Sequence, residues 1–174
     1  MKLAQCIILD LLANYAPHSC LPETSDFHFS GVQLLDQNNP TDDPSILYIG
    51  TTDQLSSFDP EKLKDFCIVC IGKKEEVSSY IENFQANLIL VSQEHSFASV
   101  VNTLYSGFDR ILRWGAELQN AILRKQNYQS LFSIGGRFFG KNVMLMVNSS
   151  YNVIGANLLE APGHEKLDFI LKNG

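Results

Sequence analysis

The chain has 174 residues, 45% of them hydrophobic and 18% charged, with a formal net charge of −6. That length buries a core without disulfide or metal staples, and the composition is that of a folded chain rather than a disordered one. The acidic surplus argues against nucleic acid or an anionic membrane surface as a partner of this segment by itself, because neutralising phosphates requires clustered Lys and Arg. No apolar run approaches the roughly 20 residues that span a bilayer, so no membrane partner is expected.

The opening stretch, Met1 to Pro17, carries Gln5, Cys6, Asp10 and Asn14 among its apolar residues and reads as an amphipathic helix rather than a secretion signal. Leu3, Cys6, Ile7, Leu9, Leu11 and Leu12 follow a loose helical spacing up to Ala16, where Pro17 stops the helix. A polar stretch, Pro22 to Asp26, leads to β-like runs at Phe27–Phe29 and Gly31–Leu35, then to the turn-rich segment Asp36–Pro44.

From Ser45 the pattern changes. Ile46–Ile49 and Phe66–Ile71 are short apolar strands ended by Gly50 and Gly72, and Lys73–Phe84 has helical spacing through Val77, Ile81 and Phe84 before a further strand, Leu88–Val91. Strand, helix, strand within about 25 residues is a βαβ unit, which makes a right-handed parallel crossover. The runs are continuous rather than alternating, as in strands covered on both faces. Residues 1–95 therefore read as an N-terminal α/β domain with a small, partly parallel sheet.

Residues 96–127 read as one long connecting and dimerisation helix beginning at Ser96. Phe97, Val101, Leu104, Phe108, Ile111, Gly115, Leu118 and Ile122 are separated alternately by four and three residues, a heptad seam of period 3.5. Val100, Leu112, Ala116 and Ala121 widen the stripe; Gly107 and Gly115 cost helix propensity, and Gly115, on the seam, marks a close helix approach or a bend. The seam predicts a coiled-coil homodimer, with packing of the same stripe inside one subunit as the alternative.

Residues 128–174 open with a helix over Tyr128–Phe139, capped at Gly140, followed by strands at Val143–Val147 and Asn152–Ala156 about a turn, and by a short helix at His164–Lys172. A two-stranded hairpin does not bury a sheet face by itself, so this segment reads as the incomplete start of a second domain.

Chemistry-bearing motifs are few. Gly135 to Lys141 matches G-x-x-x-x-G-K, but Asn142 stands where Ser or Thr would hold Mg²⁺, and the segment closes a helix where a phosphate loop would open one. Cys67 and Cys70 have C-x-x-C spacing, yet residues three apart on a strand face opposite ways and no second ligand pair follows, so buried thiols are the better reading. Those two, with Cys6 and Cys20, fit a reducing cytoplasm. His18, His28, His95 and His164 are isolated, and Asp42–Asp43 and Glu75–Glu76 suit a turn and a helix start. Trp114 is an interface anchor or packs on the α/β domain. With no convergent nucleophile, base or ligand set, the expectation is a protein that is not an enzyme and carries no cofactor and no metal. The loops after Gly50 and Gly72, with Lys73 and Lys74 beside a helix start, are the alternative: the site of an enzyme or of a nucleotide- or metabolite-binding α/β domain.

Gln129–Ser–Leu–Phe–Ser–Ile–Gly–Gly–Arg–Phe–Phe–Gly140, followed by Asn142–Val–Met–Leu–Met–Val–Asn–Ser–Ser–Tyr–Asn–Val–Ile–Gly–Ala–Asn157, resembles the start of the sensor domain in PucR-like bacterial transcriptional regulators. There a helix ending in Phe-Gly leads into a hairpin of a GAF-like or PAS-like fold. The opening helix, Gly31–Val32 and Leu47–Tyr48–Ile49–Gly50 resemble the α/β domain that precedes it. Asn142–Val143 replaces the usual Asn-Pro, and Asn148 replaces an Asp. The resemblance implies dimerisation, a small-molecule effector, and DNA contact only through a C-terminal helix-turn-helix outside this chain.

Overall fold

The computed structural model describes residues 2–21, 27–36, 43–56, 58, 60–84, 86–139, 144–147 and 153–157. Its chain divides into two compact units, Met1–Asp109 and Arg110–Gly174. The boundary falls inside a single helix, α4 (Phe97–Leu123).

The first unit is built on a mixed five-stranded sheet. Four strands, β4 (Gly31–Leu34), β5 (Ile46–Thr51), β6 (Cys67–Gly72) and β7 (Asn87–Ser92), are parallel and stand side by side in sequence order. The edge beyond β7 is closed by β2 (His18–Cys20), antiparallel, with His18 opposite Leu90 and Cys20 opposite Leu88. The expected α/β sheet with its βαβ unit is present, since β6, α3 (Lys74–Phe84) and β7 form it.

Two departures from the sequence reading have physical causes. The first helix is shorter than its periodicity suggests. Leu3–Ala4 is a strand, β1, paired antiparallel with β3 (His28–Phe29), and only Gln5–Leu11 forms α1 before a 3₁₀ turn over Ala13–Tyr15. Seven residues are too few for a helix to hold by propensity, and pairing with β3 captures its first turn. The second departure lies between β5 and β6, where α2 (Thr52–Leu55) and a 3₁₀ turn (Pro60–Asp65) occupy a segment to which the sequence pattern assigns no element. Thr51 and Gln54 form a capping box: the Gln54 amide donates to Thr51 Oγ1 at 3.4 Å and the Thr51 amide donates to Gln54 Oε1 at 2.9 Å.

Both faces of the sheet are covered. On one, Tyr48, Ile68, Cys70, Leu88 and Leu90 pack with Leu55, Leu63, Phe66 and Val77 in a single buried cluster. Residues of the opposite parity, Leu47, Ile49, Cys67, Val69, Ile89 and Val91, are buried as well. The remaining buried apolar residues of this unit, among them Leu3, Ile8, Leu12, Phe29, Val100 and Leu104, come from β1, α1, β3 and α4, which form the second covering layer. α1 and α4 meet at Gly107, where a Cβ would stand 2.6 Å from Leu11 Cδ1. Tyr15 Oη ties the same layer to α4 through Ser99 Oγ (2.9 Å) and Thr103 Oγ1 (2.8 Å).

The second unit contains the C-terminal part of α4, α5 (Tyr128–Phe139) and an antiparallel hairpin of β8 (Met144–Val147) and β9 (Val153–Asn157), with α5 beside β9. Trp114 stacks on Phe138, with ring centroids 4.4 Å apart and planes 19° from parallel, and the Arg110 guanidinium lies 5.7 Å from the Phe138 centroid. The expected Gly140 cap, the hairpin turn and the His164–Lys172 helix lie outside the described residues.

Candidate functional site

The two strands at the middle of the apolar pattern send their connections to opposite faces of the sheet. After β6 the chain enters α3, whose Val77, Tyr80 and Ile81 pack into the Tyr48–Leu88 cluster. After β7 it turns through Gln93–His95, with the His95 amide donating to Ser92 O at 3.1 Å, and enters α4 in the other layer. Adjacent connections that diverge leave an opening at the carboxyl ends of their strands, the position at which open α/β sheets bind ligands.

A cavity of about 400 Å³ lies there, within the size range of small-molecule sites. Gly72, Lys73, Lys74 and Glu75 form one wall, Ser92, Gln93 and Glu94 the other, and Ala16, His18 and Leu90 complete it. Ala16 holds a left-handed conformation (φ 45°), which turns the chain from the 3₁₀ segment into β2 and brings His18 to the rim. Gly72 packs closely on Thr52, since a Cβ there would overlap Thr52 Cγ2. Thr52 Oγ1 donates to Glu76 Oε2 at 2.7 Å, and the Lys73 amide donates to the same oxygen at 3.4 Å. Those bonds hold the Glu76 carboxyl below its ordinary pKa, the Thr52 hydroxyl contributing most and the Lys73 amide next. Glu76 therefore already serves the start of α3, with the Lys73 charge also acting on it, and the positive side chains that line the cavity are Lys73 and Lys74. This is the Gly72–Lys73–Lys74 segment singled out in the sequence. His18, Ser92 and Glu94 were not, because the antiparallel strand that delivers His18 leaves no periodic signal in three residues.

The other sequence candidates are placed as follows. Cys67 and Cys70 lie on opposite faces of β6, and burial pushes each thiol up to about 12, with Glu76 adding to the effect at Cys70. Among the described residues no group of three His, Cys, Asp or Glu is arranged to hold a metal. Residues 135–139 of the G-x-x-x-x-G-K match lie within α5, with Gly135 and Gly136 buried, so that part is helix; Gly140 and Lys141 lie outside the described residues. His95 packs edge-on against Tyr15 at 5.1 Å. Asp43 accepts the Ser45 amide at 2.8 Å, which with the Ser45 side chain lowers its pKa.

Along the heptad seam, Phe97 and Val101 are half-buried in the first unit, whereas Leu104 and Phe108 are buried. In the second unit Ile111 is buried, Gly115 and Leu118 are half-buried, and Ile122 is 62% exposed. Leu123 is 79% and Leu112 is 37% exposed, and Ala116 is also on the surface. The exposed apolar edge of α4 thus lies one position beyond the seam in its C-terminal part, at Leu112, Ala116 and Leu123, with Ile122 beside it. α4 and α5 also flank a polar groove of about 450 Å³ lined by Glu117, Asn120, Arg124 and Arg137 among others, in which Arg137 pairs with Glu117 at 3.2 Å.

The fold and these sites define an α/β protein with a mixed five-stranded sheet followed by a helical and hairpin segment. No family model, curated protein or solved structure matches the chain. Among the described residues no helix is long and apolar enough to cross a membrane.

Proposed function

We propose that this chain is a non-catalytic regulatory and dimerisation fragment of a bacterial transcription regulator of the PucR-like type, acting in the cytoplasm. In this reading the first unit is the family's N-terminal α/β domain, and α5 with β8 and β9 opens a GAF-like sensor domain. Two copies pair through α4, and a small-molecule signal is relayed by a change in how the paired helices meet, towards a DNA-binding domain outside this chain. The observation that supports it is the exposed apolar edge of α4. Ile122 and Leu123, with Leu112 and Ala116, sit at the end of a heptad-spaced helix whose N-terminal part is already buried, and a second copy of the same edge would cover them.

Light scattering on the full chain tests this. A dimer mass that falls to that of a monomer in Ile122→Asp and Leu123→Asp is expected. A wild-type monomer at high concentration would sink the pairing, and with it the relay. Substitutions at Leu104 or Ile111 do not serve, because both residues are buried within the chain and an Asp there attacks folding.

A further inference from the structure

We propose that the first unit is itself a receptor: the cavity between the ends of β6 and β7 binds a small zwitterion of the free amino-acid class. This is independent of whether α4 dimerises. Three observations meet at the cavity. It lies where the β6 and β7 connections part to opposite faces of the sheet, so its position follows from the topology. Its volume of about 400 Å³ suits a molecule of amino-acid size with its hydration. Its charges are mixed: Lys73, Lys74 and Glu75 lie on one wall, and Glu94 on the other beside neutral Ser92 and Gln93.

That charge arrangement selects among ligand classes. A phosphate or nucleotide site is built from free backbone amides and net positive charge, whereas here the Lys73 amide is turned to Glu76 and two carboxylates line the walls. Among the described residues neither Lys73 nor Lys74 is held in an ion pair. A ligand carboxylate is matched by those two ammonium groups on the α3 wall, and a ligand ammonium by Glu94 and the Gln93 amide oxygen on the β7 wall. Leu90, at the base, offers a small apolar surface to the ligand's side chain.

The test is thermal unfolding of the full 174-residue chain with the twenty amino acids, with succinate, with inorganic phosphate and with ATP, each at about 10 mM, followed by titration calorimetry of any hit. At least one amino acid is expected to raise Tm by about 3 °C or more, with phosphate and ATP giving no rise. Lys74→Glu and Glu94→Lys reverse one charge on each wall at exposed positions, so each should melt like the wild type without ligand and lose the amino-acid shift. Glu94→Lys should instead respond to succinate. No shift with any amino acid, a shift that survives both variants, or stabilisation by phosphate or ATP in place of amino acids would each overturn the proposal.

Discussion

Thr52 stands directly over the α-carbon of Gly72, so that a Cβ on residue 72 would overlap Thr52 Cγ2 and lie 2.9 Å from Oγ1 and 3.1 Å from Cβ. The crowding involves a β-branched side chain whose hydroxyl is bonded to Glu76, so it has no easy rotation to relieve it. Gly72→Ala is therefore expected to destabilise the first unit by about 1–3 kcal/mol, despite the better strand propensity of Ala. Urea unfolding measures it. In the Thr52→Ala background the same substitution should cost much less, and an equal cost in both backgrounds would show that the contact is not the cause.

The Thr52–Glu76 bond also sets a pH dependence. Glu76 has a depressed pKa in the fold, so its contribution to stability is present above the unfolded value of about 4.3 and is lost as pH falls through the folded value. Thr52→Val removes the principal donor and should move the Glu76 carboxyl resonance midpoint upward in an NMR titration. An unchanged midpoint would mean that Lys73, through its amide and its charge, holds the carboxylate without the Thr52 hydroxyl.

For the cysteines the sign is reversed. Cys67 and Cys70 are raised to about 12, so the fold favours their protonated forms, and that preference weakens stability as pH rises above the unfolded value of about 8.5 towards 12. Near neutral pH a disulfide reagent should modify Cys6, which is exposed, and then the half-buried Cys20, with the remaining two reacting only on unfolding. Prompt reaction of all four thiols in native buffer would contradict the buried placement.

Leu104 and Ile122 belong to one seam but differ in what covers them, since Leu104 is fully buried and Ile122 is 62% exposed. Leu104→Ala should cost about 2–5 kcal/mol in chemical denaturation, whereas Ile122→Ala should change monomer stability by about 0.5 kcal/mol or less. Similar costs at both positions would place them in similar surroundings.

Trp114 is the single tryptophan, and its ring rests on Phe138. Phe138→Ala should shift its emission to longer wavelength as water reaches the exposed ring face, with a loss of about 1–2 kcal/mol for the stacked pair. Emission that does not move would argue against the stack.

Local pattern carried much of the architecture. The continuous apolar runs around Leu47–Ile49, Ile68–Ile71 and Leu88–Val91 mark strands because a strand covered on both faces needs an apolar residue at every step. The period of Phe97 to Ile122 marks α4 because one helical face needs one every three or four residues, and Tyr128–Phe139 is legible for the same reason. The opposed faces of Cys67 and Cys70 follow from the strand repeat alone. The Thr51–Gln54 capping box was equally present in the sequence, but it opens a helix of only four residues with no periodicity to announce it.

What needed tertiary structure is whatever depends on which segments meet. Three residues, His18–Cys20, become a strand only because β7 offers them an open edge, and Leu3–Ala4 pairs with His28–Phe29 in place of extending α1. The side of α4 that is buried near its start is decided by α1, through Leu11 against Gly107, and the heptad spacing is blind to that neighbour. The cavity joins His18, Lys73, Lys74 and Glu94, residues far apart in the chain, because consecutive connections leave the sheet on opposite faces. Spacing along a chain encodes which face of an element is apolar; it does not encode the partner that covers the face, and in this protein the partners decide the candidate site.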